Sequence, residues 1–368
     1  MLFDFVCTTG DNAKAKRAAI VGTSSSKRLS RPPAPVLPTE VMATVRLQRD
    51  AARSAPKPRT ALHMVLAIDD AYAPHAGVTI ASALAHARAP ALLHVHILED
   101  GSLSETSRAR LTKIAETGGG TLSFHPVEDA AIAALPLNRS YISKATYYRL
   151  VMLKALPGDI SRIIYIDADT VVTDALEALW AADLDGHPIG ACADEGGLAQ
   201  SRRLGLDPGH IYFNAGVAVF DLAALRKMEF EAKASAAYAA HADKITLQDQ
   251  DILNIVFCGQ TKLLDLRWNA NTRLYVGSDL EAAYSKAEAQ AAAAAPGILH
   301  FTDKRKPWTL KELNPMGVLY WDYRNQGPWA ETFAQRHTRR LIKAFRHLFG
   351  KRQRALNAHL ARLKATQQ

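Results

Sequence analysis

The chain has 368 residues, 45 Lys and Arg against 36 Asp and Glu, and is 48% hydrophobic and 22% charged. This composition excludes a fully disordered chain or a fibre, and the length suits one large domain with appendages or two smaller ones. No uncharged apolar run approaches the ~18 residues that a membrane span needs, and Met1 to Val6 lacks the basic-then-apolar order of a secretory signal.

The charge is unevenly spread. Residues 1–60 hold 11 basic and 4 acidic residues, and residues 332–368 hold 10 basic and none acidic. The middle, 61–331, holds 24 basic and 32 acidic residues. A folded nucleic-acid binder usually carries its positive charge on the folded body. An acidic body between basic ends instead fits a cation-dependent enzyme with a basic tail, and nucleic acid is not expected as a partner. Cys7, Cys192 and Cys258 form no CxxC pair, so a reducing, cytoplasmic setting is expected rather than a disulfide framework or a thiol-metal site.

In chain order, residues 1–60 read as a disordered extension, because Ser24-Ser25-Ser26, Arg31-Pro32-Pro33, Pro35, Pro38 and Pro56-Lys57-Pro58 interrupt every periodicity. A linker or an upstream start codon accounts for it better than a transit peptide. His63 to Ile68 predicts a buried strand ending at Asp69-Asp70, and Val78 to Ala87 a helix. Leu92 to Leu98 and Thr121 to Pro126 predict strands, with a helix from Ser104 to Thr117 between them. Ser143 to Leu156 suits a helix, and Arg162 to Ile166 a strand running into Asp167-Ala168-Asp169. Strands alternating with helices predict an α/β fold with a mainly parallel twisted sheet flanked by helices.

Side chains two apart on an extended segment point the same way. Asp167 and Asp169 therefore reach one point at the carboxyl end of a strand, where open α/β sheets bind ligands. Two adjacent carboxylates repel, and a divalent cation removes that cost. Taken alone the pair also suits a solvated turn with Asp169 as a helix cap. Asp69-Asp70 reaches the same sheet edge. Tyr212 to Val217 sets Asn214, Ala215 and Gly216 between apolar runs, either for close approach to a ligand or as a tight turn. Gln248-Asp249-Gln250-Asp251 opens a helical segment, where Asp249 and Gln250 would ordinarily act as caps. His300 ends an apolar run and precedes Lys304-Arg305-Lys306-Pro307-Trp308, and taken alone it suits a satisfied structural histidine. An imidazole joining two carboxylates favours Mn²⁺ over Mg²⁺, nitrogen being the softer ligand.

Together, AIDDAY (67–72), ATYYRL (145–150), YIDADTVV (165–172), GACAD (190–194), YFNAG (212–216), QDQDIL (248–253) and HFTDKRKPW (300–308) resemble the family-eight glycosyltransferases in order and spacing. These are retaining enzymes of the GT-A fold, of the lipopolysaccharide galactosyl- and glucosyltransferase type. The resemblance implies a catalytic domain over 61–310 and a helical basic tail over 311–368. It implies Mn²⁺, with Mg²⁺ as a substitute, on Asp167, Asp169 and His300, and a UDP-sugar (UDP-galactose or UDP-glucose) as donor. Asp69 matches the uracil-binding position and Arg149 the arginine on the donor sugar. Asp194, Asn214, Ala215, Gly216, Asp249 and Gln250 match the sugar pocket, and Lys306 the diphosphate-binding lysine. Asp249, Gln250 and Asp194 are the candidate catalytic residues. Two positions depart from the pattern: Ala71, where relatives often carry a polar residue, and Asp303, where a glycine is usual.

Leu341, Ile342, Phe345, Leu348 and Phe349 recur at helical spacing among Arg339, Arg340, Lys343 and Arg346. A basic amphipathic helix of this kind predicts peripheral attachment to an anionic membrane surface, on the inner face of the cytoplasmic membrane. Packing on its own domain or on a second subunit is the alternative. A glycan or glycolipid is the expected acceptor. The competing reading for the whole chain is a catalytically silent sugar-nucleotide binding protein.

Overall fold

The computed structural model describes residues 38–54, 60–127, 132, 135, 143–276, 283–302, 304–309, 312, 314–338 and 341–342. Its strands are β1 (Leu62–Ala67), β2 (Leu93–Glu99), β3 (Thr121–Pro126), β4 (Arg162–Ile166), β5 (Thr170–Val172), β6 (Ile189–Ala193), β7 (Phe213–Asp221), β8 (Thr261–Leu263), β9 (Ala270–Asn271) and β10 (Ile298–His300). They form a seven-stranded sheet in the order β3-β2-β1-β4-β7-β6-β8 and a three-stranded sheet in the order β5-β10-β9. The predicted α/β fold is observed: in the larger sheet β1 to β4 run parallel, and only β7 opposes its neighbours, β4 and β6.

β1 alternates between two cores. Met64 and Leu66 pack with Val95, Ile97 and Ile164 on one face. Val65 packs with Leu98, Ile163 and Tyr165 on the other. The chain lays β2 and β3 to one side of β1 and then returns to place β4 on the other side. That reversal opens a crevice at the carboxyl ends of β1 and β4, where such sheets take ligands.

The helix Ala73–His86 starts five residues before the predicted Val78, because Pro74 fits the first turn of a helix. Ser104 caps Glu105–Thr117 by accepting from Ser107 N. The helix expected over Ser143 to Leu156 is instead a 3₁₀ segment, Lys144–Val151, followed by one α turn, Met152–Ala155. A three-residue turn stacks side chains at i and i+3. It thereby sets Thr146 and Arg149 one above the other, and both reach Asp249.

Two expected boundaries are corrected. The disordered extension over 1–60 does not hold at Pro38–Ser54, which is a helix. Its Val41 and Val45 are buried with Leu299, Phe301, Met316 and Tyr320. Spaced by four, these two valines make the apolar stripe of an amphipathic helix. Likewise the segment after 310 is not all tail. The helix Gly317–Gln326 buries Leu319, Tyr320 and Trp321 in the same cluster, so the folded body runs past the expected domain end. Of the proposed membrane-binding stripe only Leu341 and Ile342 are described. Both are exposed, and Phe345, Leu348 and Phe349 lie outside the described residues. Among the described residues no helix is long and apolar enough to cross a membrane.

Candidate active site

β4 delivers Asp167 to the crevice, and the turn to β5 is pinned from both sides. Asp167 N donates to Gly216 O of β7 at 2.7 Å, and Thr79 Oγ1 lies 3.2 Å from Ala168 O and 3.0 Å from Thr170 O. β5 pairs with β10 in a register that sets His300 opposite Thr170. This antiparallel pairing brings a residue 131 positions later in the chain onto the acid pair. Ligand atoms of Asp167, Asp169 and His300 all lie within 4.8 Å of one another. His300 Nε2 is 3.2 Å from Asp169 Oδ1 and 3.9 Å from Asp167 Oδ2.

This trio fits a divalent cation. Asp169 Oδ1 is buried without a hydrogen-bond partner, an arrangement that native structures reserve for an ion, water or catalytic role. A Cβ on Gly216 would clash with His300 Cε1 and lie 2.8 Å from Asp167 Oδ2, so only glycine leaves the cradle open. His300 Nδ1 is 2.8 Å from Asn269 Oδ1. As a donor there it leaves Nε2 with its lone pair towards the carboxylates, the usual arrangement for a ligating histidine.

Arg149 is buried between two acids. Its Nη2 donates to Asp167 Oδ1 at 2.6 Å, its Nε is 2.9 Å from Asp249 Oδ2, and Nη1 donates to Ala215 O. The guanidinium also lies over the Tyr165 ring, 3.9 Å from its centroid. Burial raises the Asp249 carboxyl to about 6, although Arg149 and a hydrogen bond from Thr146 oppose the shift. Burial also disfavours the Asp169 carboxylate, yet the Lys306 ammonium beside it outweighs that and holds the group well below the usual range.

A second cluster gathers on Asp194. Its Oδ2 accepts from Asn214 Nδ2 at 3.0 Å and Gln250 Nε2 at 3.2 Å, and Gln250 Oε1 accepts from Ala215 N at 3.1 Å. Both clusters line one cavity of about 500 Å³.

The chain matches glycosyl transferase family 8 over residues 63–312. It belongs to that family. It is 27% identical over 272 residues to general stress protein A of Bacillus subtilis, covering 73% of this chain and 94% of that one. It is 23% identical over 296 residues to the lipopolysaccharide 1,2-glucosyltransferase of Escherichia coli, covering 78% and 85%. Among solved structures it resembles the galactosyltransferase LgtC in complex with donor and acceptor sugar analogues. That likeness has a TM-score of 0.65 and 27% identity, over 73% of this chain and 96% of that one. The fold is therefore that of the GT-A glycosyltransferases.

In this glycosyltransferase the cavity brings together Arg149, Asp167, Asp169, Asp194, Asn214, Ala215, Gly216, Asp249, Gln250, His300 and Lys306, all read from the sequence. Asn214 to Gly216 lie within β7 and not in a tight turn. Asp69 is the exception. Ala67, Ile68 and Tyr72 line the cavity from its segment, whereas Asp69 Oδ1 accepts from Tyr72 N at 3.0 Å within its own turn. Lys306 Nζ bonds to Asp169 Oδ2 and Phe301 O. Asp303 lies outside the described residues.

Glu195, Thr146, Asn269 and Tyr165 were not singled out by the sequence. Glu195 lines the cavity and pairs with Arg273 Nε at 3.0 Å. Burial and the neighbouring Asp194 raise its carboxyl to about 7. Its position directly after Asp194 was the one available signal. Asn269 had none, since its partners lie 31 and 55 positions away.

Proposed function

We propose that the protein transfers a hexose, galactose or glucose, from a UDP-sugar to a hydroxyl of a glycan acceptor, keeping the anomeric configuration and using Mn²⁺, with Mg²⁺ as a substitute. The observation that carries this is the convergence of two carboxylates and one imidazole at the wall of a cavity lined by Arg149, Asp194, Asn214 and Asp249. Asp167, Asp169 and His300 would hold the cation, which would supply positive charge where the diphosphate leaving group gains negative charge.

The chain's own groups do the rest. Lys306 adds a second positive charge at the diphosphate. Asp194 and Asn214 accept and donate to sugar hydroxyls, and their mutual bond fixes both before the donor arrives. Asp249 faces the same space as an acid held by Arg149. The bond from the anomeric carbon to the phosphate oxygen breaks, and its electron pair leaves with UDP. The acceptor oxygen bonds to that carbon, and its proton passes to the departing phosphate oxygen on the same face. Front-face attack is favoured because Gln250 is a neutral amide already tied to Ala215 N and Asp194, and an amide is a poor nucleophile.

The acceptor proposed is the lipopolysaccharide core or another surface glycan, reached from the inner face of the cytoplasmic membrane. Support comes from the Escherichia coli relative's activity, from the 10 basic and no acidic residues of 332–368, and from the exposure of Phe333, Leu341 and Ile342. Each Lys or Arg near an anionic leaflet contributes ~1 kcal/mol.

The decisive experiment is a donor panel: purified protein, Mn²⁺ and each UDP-sugar in turn, scored by release of UDP. Release from UDP-galactose or UDP-glucose alone is expected. No release from any donor, with acceptor glycan present, rejects the reading. For the membrane, removal of residues 336–368 is expected to leave UDP release intact and abolish pelleting with anionic vesicles. A truncated protein that still pellets counts against attachment through the tail.

A further inference from the structure

We propose that Asn269 is a positioning residue that fixes the tautomer of His300, and that Asp194 sets the direction of this control through Asn214. The inference rests on the metal-site reading above. Asn269 closes the 3₁₀ turn Leu266–Asn269, immediately before β9. β9 runs parallel to β10, with Asn271 beside His300. The carboxamide of Asn269, 1% exposed, thereby lies against the imidazole, 4% exposed.

The hydrogen bonds form a directed chain. Asp194 Oδ2 only accepts when ionised, so the group facing it at 3.0 Å must be the Asn214 amine. Asn214 Oδ1 then points the other way, where it accepts from Gly216 N at 3.0 Å and from Asn269 Nδ2 at 2.9 Å. With its amine so used, Asn269 offers Oδ1 to His300 Nδ1 at 2.8 Å. Reversing Asn269 would oppose two amines or two oxygens unless Asn214 reversed too. Reversing Asn214 would set oxygen against the Asp194 carboxylate and amine against the Gly216 N–H. Two anchors, one a carboxylate and one a backbone group that cannot turn, therefore allow a single orientation.

The control is needed because the local field favours the other tautomer. Nε2 faces Asp169 at 3.2 Å and Asp167 at 3.9 Å. Both are acceptors, and either would draw a proton onto Nε2 and leave no lone pair for a metal. The carbonyl of Asn269 holds the proton on Nδ1 instead. The same chain ties a ligand of the metal site to Asp194 and Gln250 in the sugar pocket, so the two sites are organised by one set of bonds.

The test uses metal-free full-length protein labelled with ¹⁵N-histidine at mildly alkaline pH, and reads the His300 ring nitrogens by NMR. A separate titration reads Mn²⁺ binding by the electron paramagnetic resonance of the free ion. The wild type is expected to carry the proton on Nδ1. Asn269→Leu is expected to move it to Nε2 and to weaken Mn²⁺ binding by about 10- to 100-fold, the usual cost of losing an outer partner of a metal ligand. Asn269→Asp keeps an acceptor for Nδ1 and is expected to retain the tautomer and bind Mn²⁺ within a few-fold of wild type. An Nδ1–H ring and undiminished Mn²⁺ affinity in Asn269→Leu would overturn the proposal. So would an Nε2–H ring in Asn269→Asp, the variant to rely on if the leucine protein does not fold. His300→Ala is the control for the site itself: Mn²⁺ binding that survives it rejects the metal reading, while the tautomer in metal-free protein still judges Asn269.

Discussion

Asp167 is divided between Arg149 and His300: Oδ1 accepts from Arg149 Nη2 at 2.6 Å, and Oδ2 faces His300 Nε2 at 3.9 Å. The guanidinium meets Asp249 through its other edge. One buried cation thus compensates the buried Asp249 and the partly buried Asp167, and leaves the second oxygen of Asp167 turned towards His300. Removing one member of a buried charged set leaves the others uncompensated, at roughly 3–5 kcal/mol. Arg149→Ala is therefore expected to lower the urea midpoint by that order as well as abolish UDP release. Arg149→Lys keeps the charge but not the fork. It is expected to fold and to lose most of its kcat. A lysine variant with wild-type kcat would show that Arg149 only supplies charge.

Asp167→Asn removes the charge but not the shape. It is expected to melt close to wild type and to lose at least ~100-fold in Mn²⁺-dependent UDP release, the scale of losing an electrostatic group at a reacting centre. Chelation of wild-type protein should have the same effect, reversed by added Mn²⁺. Turnover of Asp167→Asn at the wild-type rate with Mn²⁺ present would refute the site assignment.

Gly216 forms the floor beneath His300 and Asp167, with no room for a methyl group. Forcing one into a packed site costs about 1–3 kcal/mol. Gly216→Ala is expected to fold with a lower melting temperature and to bind Mn²⁺ more weakly, because ring and carboxylate must both move. Equal Mn²⁺ affinities in the two proteins, measured by calorimetry, would show that the cradle has slack.

The strand ends were legible because they combine a short buried run with paired acids. Asp167-Ala168-Asp169 taken alone also suited a solvated turn and His300 a structural histidine, and it was their order and spacing among the other motifs that singled them out. Ser143 to Leu156 misled because hydrophobic spacing does not separate a three-residue from a four-residue turn over eight residues. The contacts of Thr146 and Arg149 with Asp249 decide it, and they lie about a hundred positions away. The helix Pro38–Ser54 was hidden by the prolines around it, and its valines gain their meaning from Phe301 and Tyr320. Asn269 was illegible for a related reason: a carboxamide's role is set by what stands at each of its ends.

Val41 and Val45 seal the cluster behind β5, β9 and β10, the sheet that carries His300. Fully burying a valine contributes about 1.5–3 kcal/mol. Val41→Ser with Val45→Ser is expected to cost about 3 kcal/mol or more and to lower the melting temperature by several degrees. Removal of the residues up to Arg59 should resemble the double variant. A protein starting at Thr60 that melts like wild type would show that the helix adds nothing to the body.

Away from the active site, histidines line one face of β1, β2 and β3. His63 Nδ1 is 3.0 Å from His96 Nε2, and His96 Nδ1 is 2.9 Å from His125 Nε2. Burial, then the neighbouring His125, His63 and His94, lower His96 from 6.5 to about 3. Asp159 favours the charged form of His63, but burial and His94 outweigh it, and His63 is lowered too. The folded state therefore binds fewer protons than the unfolded chain below pH 6.5. Stability from this row is complete above that pH and is lost as pH falls towards 3, at about 1.4 kcal/mol per pH unit for each histidine that stays neutral. Replacing His96 by Phe removes its share, so the slope of urea stability against pH in the mildly acidic range should become shallower by about that amount. Carboxylates add to the acid slope of both proteins and cancel in the difference. Parallel slopes for the two would mean that His96 takes up its proton in the folded sheet as readily as in the unfolded chain.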